Sequence, residues 1–481
     1  MPFHKNAVAY AATSFASSMM NSIFFFYYVK LFLDRYHVSE PWFQFAQVVY
    51  MLWNAINDPL FGYFQDQSTW DFCSNRQKSI LYGAPLWALC FLLPWFPWGN
   101  YEEGNWLAGV HLMVTLCAYD ALLTFVLLSQ CAIFAEISVQ HEDRLRLVKY
   151  SQIASAMGNT GVFFSGIVSD NMNNMFNLQI YCVLIALIAW ASMRYCALNT
   201  RTMYDNKGKE PSKTPLIEQK QKREEEKLSF KGACVITWQI LKNRNFIAFV
   251  IMNFFQVLHV TFGANFLLIF ANHLIPQDVL PSVARSAVYG ASFVLPQLMI
   301  LLGGGIIAKF GSYKVILISF MVQIFLGITL YFVGREHYYF LALFFILDMS
   351  IPHAAFSLFN IPLSDIIDED MNVNKARYPR SSMVFGTNAL ITKPANSFAP
   401  MLVVAILNKY GYEALKEYGV PGAVVPSGVT PPDQSEIAEL HNVMFKIMCT
   451  FPIVLSIIQL LAWSTYKLKS THVTEAKYMD T

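Results

Sequence analysis

The chain has 481 residues, of which 55% are hydrophobic and only 14% charged, with a formal net charge of +2. A soluble domain carries about 25% charged residues, so this composition reads as a polytopic membrane protein. The near-zero charge, with a single charge-rich run of mixed sign, argues against nucleic-acid binding.

A spanning helix needs about 20 apolar residues. Runs of that kind fall at 7–33, 42–64, 79–98, 106–136, 148–170, 178–199, 246–272, 285–308, 313–333, 339–363, 381–407 and 441–466. The expected architecture is therefore an all-α membrane protein, with twelve transmembrane helices in two six-helix bundles. The bundles are 1–200 and 246–481, joined by a connector at 201–245. The short, polar start Met1–Asn6 does not read as a cleavable signal peptide. Of 34 Lys and Arg, twelve lie between Arg194 and Arg244, and most of the rest fall in loops on the same side. Loops 99–105 and 171–177 hold none. Positive charge stays in the cytosol, so both termini are expected there, with the plasma membrane as the expected location. The eight cysteines follow no disulfide or metal-ligand spacing.

The first functional signal is Trp53–Asp66. It places Asp58 and Pro59 within an apolar span. A charged group at mid-span costs roughly 2.5–3.5 kcal/mol, so it needs a partner or a task. Asn54, Asn57 and Asp58 share one helix face, at i, i+3 and i+4. Pro59 has no N–H and frees the carbonyl of Ala55. Together these offer oxygens for Na⁺, or a carboxylate that accepts a proton; the competing reading is a kinked helix whose carboxylate pairs with a base. Asp120 lies in the fourth span, with Thr124 one turn on, and Lys393 lies in the eleventh, before Pro394. Either Asp120 joins Asp58 in a cation or coupled-proton site, or it pairs with Lys393 to hold the halves together. The expected ion or coupling set is thus Asp58, Asn54, Asp120 and Lys393.

Further polar residues within spans are candidates for a substrate cavity: Asn57, Thr124, Gln256, His259, Asp348, His353 and Asn396. Each could instead bond helix to helix. Gly62-x-x-x-Asp66 after the second span has a degenerate counterpart at Gly305–Lys314. With Arg144, Asp365, Asp368 and Arg377 it is expected to form a cytosolic gate of exposed ion pairs, each worth little alone. No nucleophile elbow, P-loop or zinc-protease motif appears, so no enzymatic activity is expected.

Asn57-Asp58-Pro59-Leu60-Phe61-Gly62 resembles the helix-2 signature of the glycoside–pentoside–hexuronide:cation symporters, the melibiose-permease-like branch of the major facilitator superfamily. Tyr119-Asp120 resembles that branch's helix-4 aspartate. Ala135-Glu136-Ile137-Ser138 with Asp143-Arg144, and Leu363–Pro394, are similar to its helix 4–5 loop and helix 10–11 region. The resemblance implies two six-helix bundles around a central cavity, and symport of a small organic solute driven by Na⁺ or H⁺. No other cofactor is implied. The partners are the solute and the lipid bilayer, and a monomer is expected. Asn54 stands where the branch carries an aspartate, and the first span has no acidic residue before Asp34. A sodium site here would have one charge fewer than the family's. The alternatives are a non-transporting membrane receptor or scaffold, and a lysolipid transporter.

Overall fold

A computed structural model describes residues 5–67, 70–102, 105–137, 141–202, 237–373, 381–413 and 434–468. Most of the connector at 201–245 and of loop 409–440, and all of Arg377, lie outside these residues. Among the described residues the chain is helical without strands, and eight segments are long and apolar enough to cross a bilayer.

The first half holds α1 (Lys5–Lys30), α2 (Glu40–Gln67), the short α3 (Asp71–Ser74), α4 (Arg76–Leu92), α5 (Trp106–Ile137), α6 (His141–Asn159), α7 (Gly161–Ser169) and α8 (Met175–Asn199). The second holds α9 (Arg244–Leu274), α10 (Ser282–Val333), α11 (Tyr338–Phe356), α12 (Asn360–Val373), α13 (Ser381–Thr392), α14 (Ala395–Lys409) and α15 (Gln434–Ser464). Asparagine side chains cap several starts, because a side-chain oxygen satisfies N–H groups that the first turn leaves open. Asn75 accepts from Lys78 N–H, Asn174 from Asn177 N–H, and Asn243 from the N–H groups of Asn245 and Phe246.

Several spans depart from the continuous rods that hydropathy alone predicts. The fifth is broken at Thr160 into α6 and α7. The eleventh is broken into α13 and α14 at Lys393-Pro394, where proline cannot extend the ladder. The eighth and ninth are two helices, here labelled together as α10, that meet at non-helical backbone at Gly311 (φ 76°, ψ 155°). That conformation is open essentially only to glycine. Gly311 therefore makes the turn between the two spans, whereas a Cβ at Gly305 would meet nothing within 4 Å.

α1 is the axis of the first half. It packs along α6 and α8 and also against α9 of the second half. Small residues permit this closeness. A Cβ on Gly158 of α6 would fall 2.5 Å from the backbone oxygen of Phe15 in α1. In the second half α9 packs on α11, α14 and α15. The halves meet where α10 lies on α6 and α7, and where α2 meets α13 and α14.

Among the described residues, most hydrogen bonds between the halves lie at the end where α1 finishes, here called the distal end. Asn171 donates to the Ser282 carbonyl (3.1 Å) and hydroxyl (2.8 Å), and accepts from Ser286 (3.2 Å). Tyr412 donates to Asp34 (2.9 Å), Asn408 to Glu40 (3.1 Å), and Gln44 to the Met401 carbonyl (3.0 Å). The turn Asp170-Asn171-Met172 is left-handed at all three residues, with φ of 50°, 53° and 76°. Non-glycine residues rarely adopt that backbone, and it persists only where surrounding contacts hold it. Arg35 supplies one such contact by donating to the carbonyls of Met172 and Asn173. At the opposite end, the described bonds Asn6–Arg201, Gln77–Thr200, Asn243–Glu369 and Tyr466–Pro362 each stay within one half.

This asymmetry gives a testable expectation. Each distal bond contributes about 0.5–1.5 kcal/mol net. Removing four of them, three at Asn171 and one at Tyr412, with Asn171→Ala and Tyr412→Phe, is expected to shift the protein toward distal opening. Spin labels at the exposed residues Trp98 and Tyr339, one on each half, should then report a longer and broader distance.

Candidate functional site

Between the halves lies a cavity of about 340 Å³, at the low end of the roughly 300–1,000 Å³ typical of ligand pockets. α1 contributes Ser18, Asn21, Ser22, Phe25 and Tyr28, α2 Tyr50, and α6 Asn159. The second half contributes Val260, Thr261, Ala264 and Asn265 from α9, Phe293 from α10, His353 from α11 and Asn396 from α14. The recurring Ser and Asn of α1, spaced at about one turn, explain this lining: they form a polar stripe on a helix otherwise packed into the core.

The polar groups are ordered by one another. Asn265 donates across the halves to the Tyr28 hydroxyl (3.2 Å), and Asn159 to the Phe293 carbonyl (3.0 Å). Thr261 donates to Asn396 (2.9 Å). Asn21 accepts from Tyr119 (2.5 Å), whose ring stacks on Phe24 with centroids 3.9 Å apart.

Beside the cavity, α2 and α5 build a second polar group. Asn57 donates to the Asp120 carboxylate and, at 3.4 Å, to Thr124. The two α5 residues are one turn apart and so face α2 together. Asn54 donates to the Tyr50 hydroxyl (3.5 Å). The side-chain oxygens of Asn54 and Asn57 are buried and have no hydrogen-bond partner among the described residues. Two such oxygens one turn apart, one on the amide that holds Asp120, are donors suited to a hard cation. Tyr50 touches both the cavity and Asn54. It joins the two groups, and sequence reasoning missed it although it lies one turn before Asn54 on the same face.

The other expected residues sort by position. His353 and Asn396 line the cavity; Asn57, Thr124, Gln256, His259 and Asp348 lie outside its lining. Gln256 donates to the Pro352 carbonyl (2.7 Å) and accepts from Gln459 (2.5 Å), tying α9 to α11 and α15. His259 Nε2 lies 3.1 Å from Asp348 Oδ1. Lys393 is part-buried at the α13–α14 break. The backbone of α2 is helical through Asp58, but the side chains of Asp58, Gly62, Asp66, Arg144 and Asp368 lie outside what is described, as does Arg377. Asp365 is part-buried on α12, where Glu369 accepts from Asn243 and Asn245. Asn21 and Tyr28 were not singled out by sequence, because isolated tyrosines and amides in spans are common helix-to-helix bonds.

Comparison with known proteins places this arrangement. The chain is 29% identical to transmembrane protein 180 of Gallus gallus over 99% of this chain and 95% of that one. It is 27% identical to the protein of that name in Mus musculus, over 98% and 94%. A crystal structure of a bacterial homolog to the human lysosomal transporter Spinster, inward-facing and unoccupied, superposes with a TM-score of 0.61 at 13% identity. It covers 97% of this chain and 98% of that one. The nucleoside transporter NupG gives 0.59 at 13% identity, over 96% and 100%. At such identities the likeness is one of fold, the major facilitator fold. The model of the family described as MFS/sugar transport protein matches residues 9–470, nearly the whole chain, and the chain belongs to that family.

Proposed function

We propose that this protein is a secondary transporter with twelve spans that moves a small organic solute by alternating access, coupled to a cation or a proton. The observation that carries this reading is the cavity between the halves, polar, aromatic and drawn from both, with a buried carboxylate and two unpartnered amide oxygens beside it. Alternating access requires a central site whose two ends open in turn. Here the described bonds between the halves cluster at the distal end. With both termini cytosolic, this is an arrangement closed to the outside. Solute would bind among Asn21, Tyr28, Asn265, His353 and Asn396. The coupling ion would bind around Asp58, Asn54, Asn57 and Asp120, and Tyr50 would link the two. Lys393 would exchange with the ion as countercharge. The open volume between the halves supports a transporter over a scaffold, which has no need of one.

The test is uptake of an untargeted solute mixture by cells expressing the protein, with pH and Na⁺ gradients varied. Wild type should accumulate a solute under one of the gradients. Asp58→Asn should reach the membrane in normal amount yet lose the gradient-driven part. Unchanged gradient-dependent accumulation by Asp58→Asn would remove the coupling assignment, and no accumulation by wild type under any gradient would remove transport itself.

A further inference from the structure

A second cluster of titratable groups lies in the other half, away from Asp120. His259 of α9 and Asp348 of α11 are 2% and 8% exposed at their side chains, with Nε2 and Oδ1 3.1 Å apart. His353, a little over one turn beyond Asp348, lines the central cavity.

We propose that His259 and Asp348, with His353 as their link to the cavity, form a proton-binding site in the C-terminal half. The proposal goes beyond the coupling site placed around Asp58 and Asp120: it adds a second ion site, one that takes H⁺.

The chemistry follows from the tautomers. His353 Nδ1 lies 2.8 Å from the Met349 carbonyl, which can only accept, so Nδ1 carries the hydrogen and Nε2 holds the lone pair. A proton from the cavity therefore binds His353 at Nε2. The pair beyond it exists in two charge states. With neutral His259 donating Nε2–H to the Asp348 carboxylate, the net charge is −1. With one more proton it is zero, either as imidazolium and carboxylate or as imidazole and carboxylic acid. Transfer from His353 to the pair returns His353 to neutral and cancels a charge that is costly in a dry site. Pro352 aids this locally, because it lacks the N–H that would bond the Asp348 backbone carbonyl and so loosens the helix at the acid.

Part-buried Lys393 stands between α13 and α14, both of which pack on α9, and Asp365, Glu369 and Asp370 stand on α12, which also packs on α9. α15 carries buried Cys449, while its Lys446 is exposed. The only charged residue of α14 is Lys409, at its last position. In α10, Arg285 is bound to the carbonyls of Ala271, Ile275 and Leu280 near the distal end, and Lys309 and Lys314 flank the Gly311 turn.

The test reads protonation directly. Full-length protein in lipid nanodiscs is taken from about pH 8 to about pH 5, the range in which histidine sites titrate. Infrared difference spectra and a pH-indicating dye follow the change. Wild type should show a carboxyl and imidazole band pair, and should take up one proton more than Asp348→Asn or His259→Gln. Asp120→Asn should keep that band pair. His353→Gln should keep it too but acquire it more slowly after a pH jump. Should one variant of the pair fail to fold, the other decides. Band pair and proton count unchanged in either folded variant would overturn the proposal. Because the readout is the proton and not a solute, the result stands even if the uptake experiment finds no transport.

Discussion

Asp120→Asn is expected to give a folded protein whose uptake no longer responds to an imposed ion gradient. The buried Asp120 side chain accepts from Asn57, and an amide of the same shape can still offer an oxygen there. What the substitution removes is the negative charge beside the unpartnered oxygens of Asn54 and Asn57. A cation or proton site without that charge loses its main attraction, while passive exchange of solute should survive. Asp120→Leu removes the acceptor as well and leaves the buried Asn57 N–H group unsatisfied, at a cost of about 1–3 kcal/mol. That variant should therefore also lose thermal stability. Counterflow exchange measured beside gradient-driven uptake separates the two effects. Equal loss of both in Asp120→Asn would place the residue in solute binding or folding and not in coupling.

Gly158→Ala is expected to be the most damaging single-methyl change in the first half. Its Cβ would sit 2.5 Å from the Phe15 carbonyl oxygen and 3.0 Å from the Met19 nitrogen, both backbone atoms of α1. Backbone cannot swing aside as a side chain can, so α1 and α6 must move apart. Overpacking of this kind costs about 1–3 kcal/mol. The effect should reach the cavity, because Asn159 follows Gly158 directly and Ser18, Asn21 and Ser22 stand on the facing helix. Gly304→Ala is the matched control, since its Cβ would meet nothing within 4 Å. Thermal unfolding in detergent should show a clear drop for Gly158→Ala and none for Gly304→Ala.

Much of the fold was legible because apolar length is a one-dimensional property. The break at Lys393-Pro394 was not read, because apolar length gives 381–407 as one span even with Pro394 in it. The Gly311 turn was only half visible: Gly305–Lys314 stood out as a counterpart of Gly62-x-x-x-Asp66, but composition does not reveal which glycine carries a positive φ. At the site, helical spacing put Asn54 and Asn57 on one face and Asp120 with Thr124 on another. The structure brings Asn57 onto both members of that second pair. Spacing gives the face of a helix but not what the face meets. Gln256 was therefore grouped with the cavity, although its amide is taken up by Pro352 and Gln459. Tyr50 and Tyr28 went unmarked for the converse reason: in a chain with 24 tyrosines, a functional hydroxyl has no signature until its neighbours are known.

The Gly311 joint carries a mechanical consequence. The first arm of α10 rests on α6 and α7 of the opposite half, while α10 also packs on α11 and α15 of its own. With a single residue between the arms, there is no slack loop to absorb relative sliding. Displacement of the first arm must pass through one pair of torsions and emerge as tilt of the second. The stiffness of that joint, and not the length of a connecting loop, then sets how much of the movement between the halves is felt at the far side of the bundle.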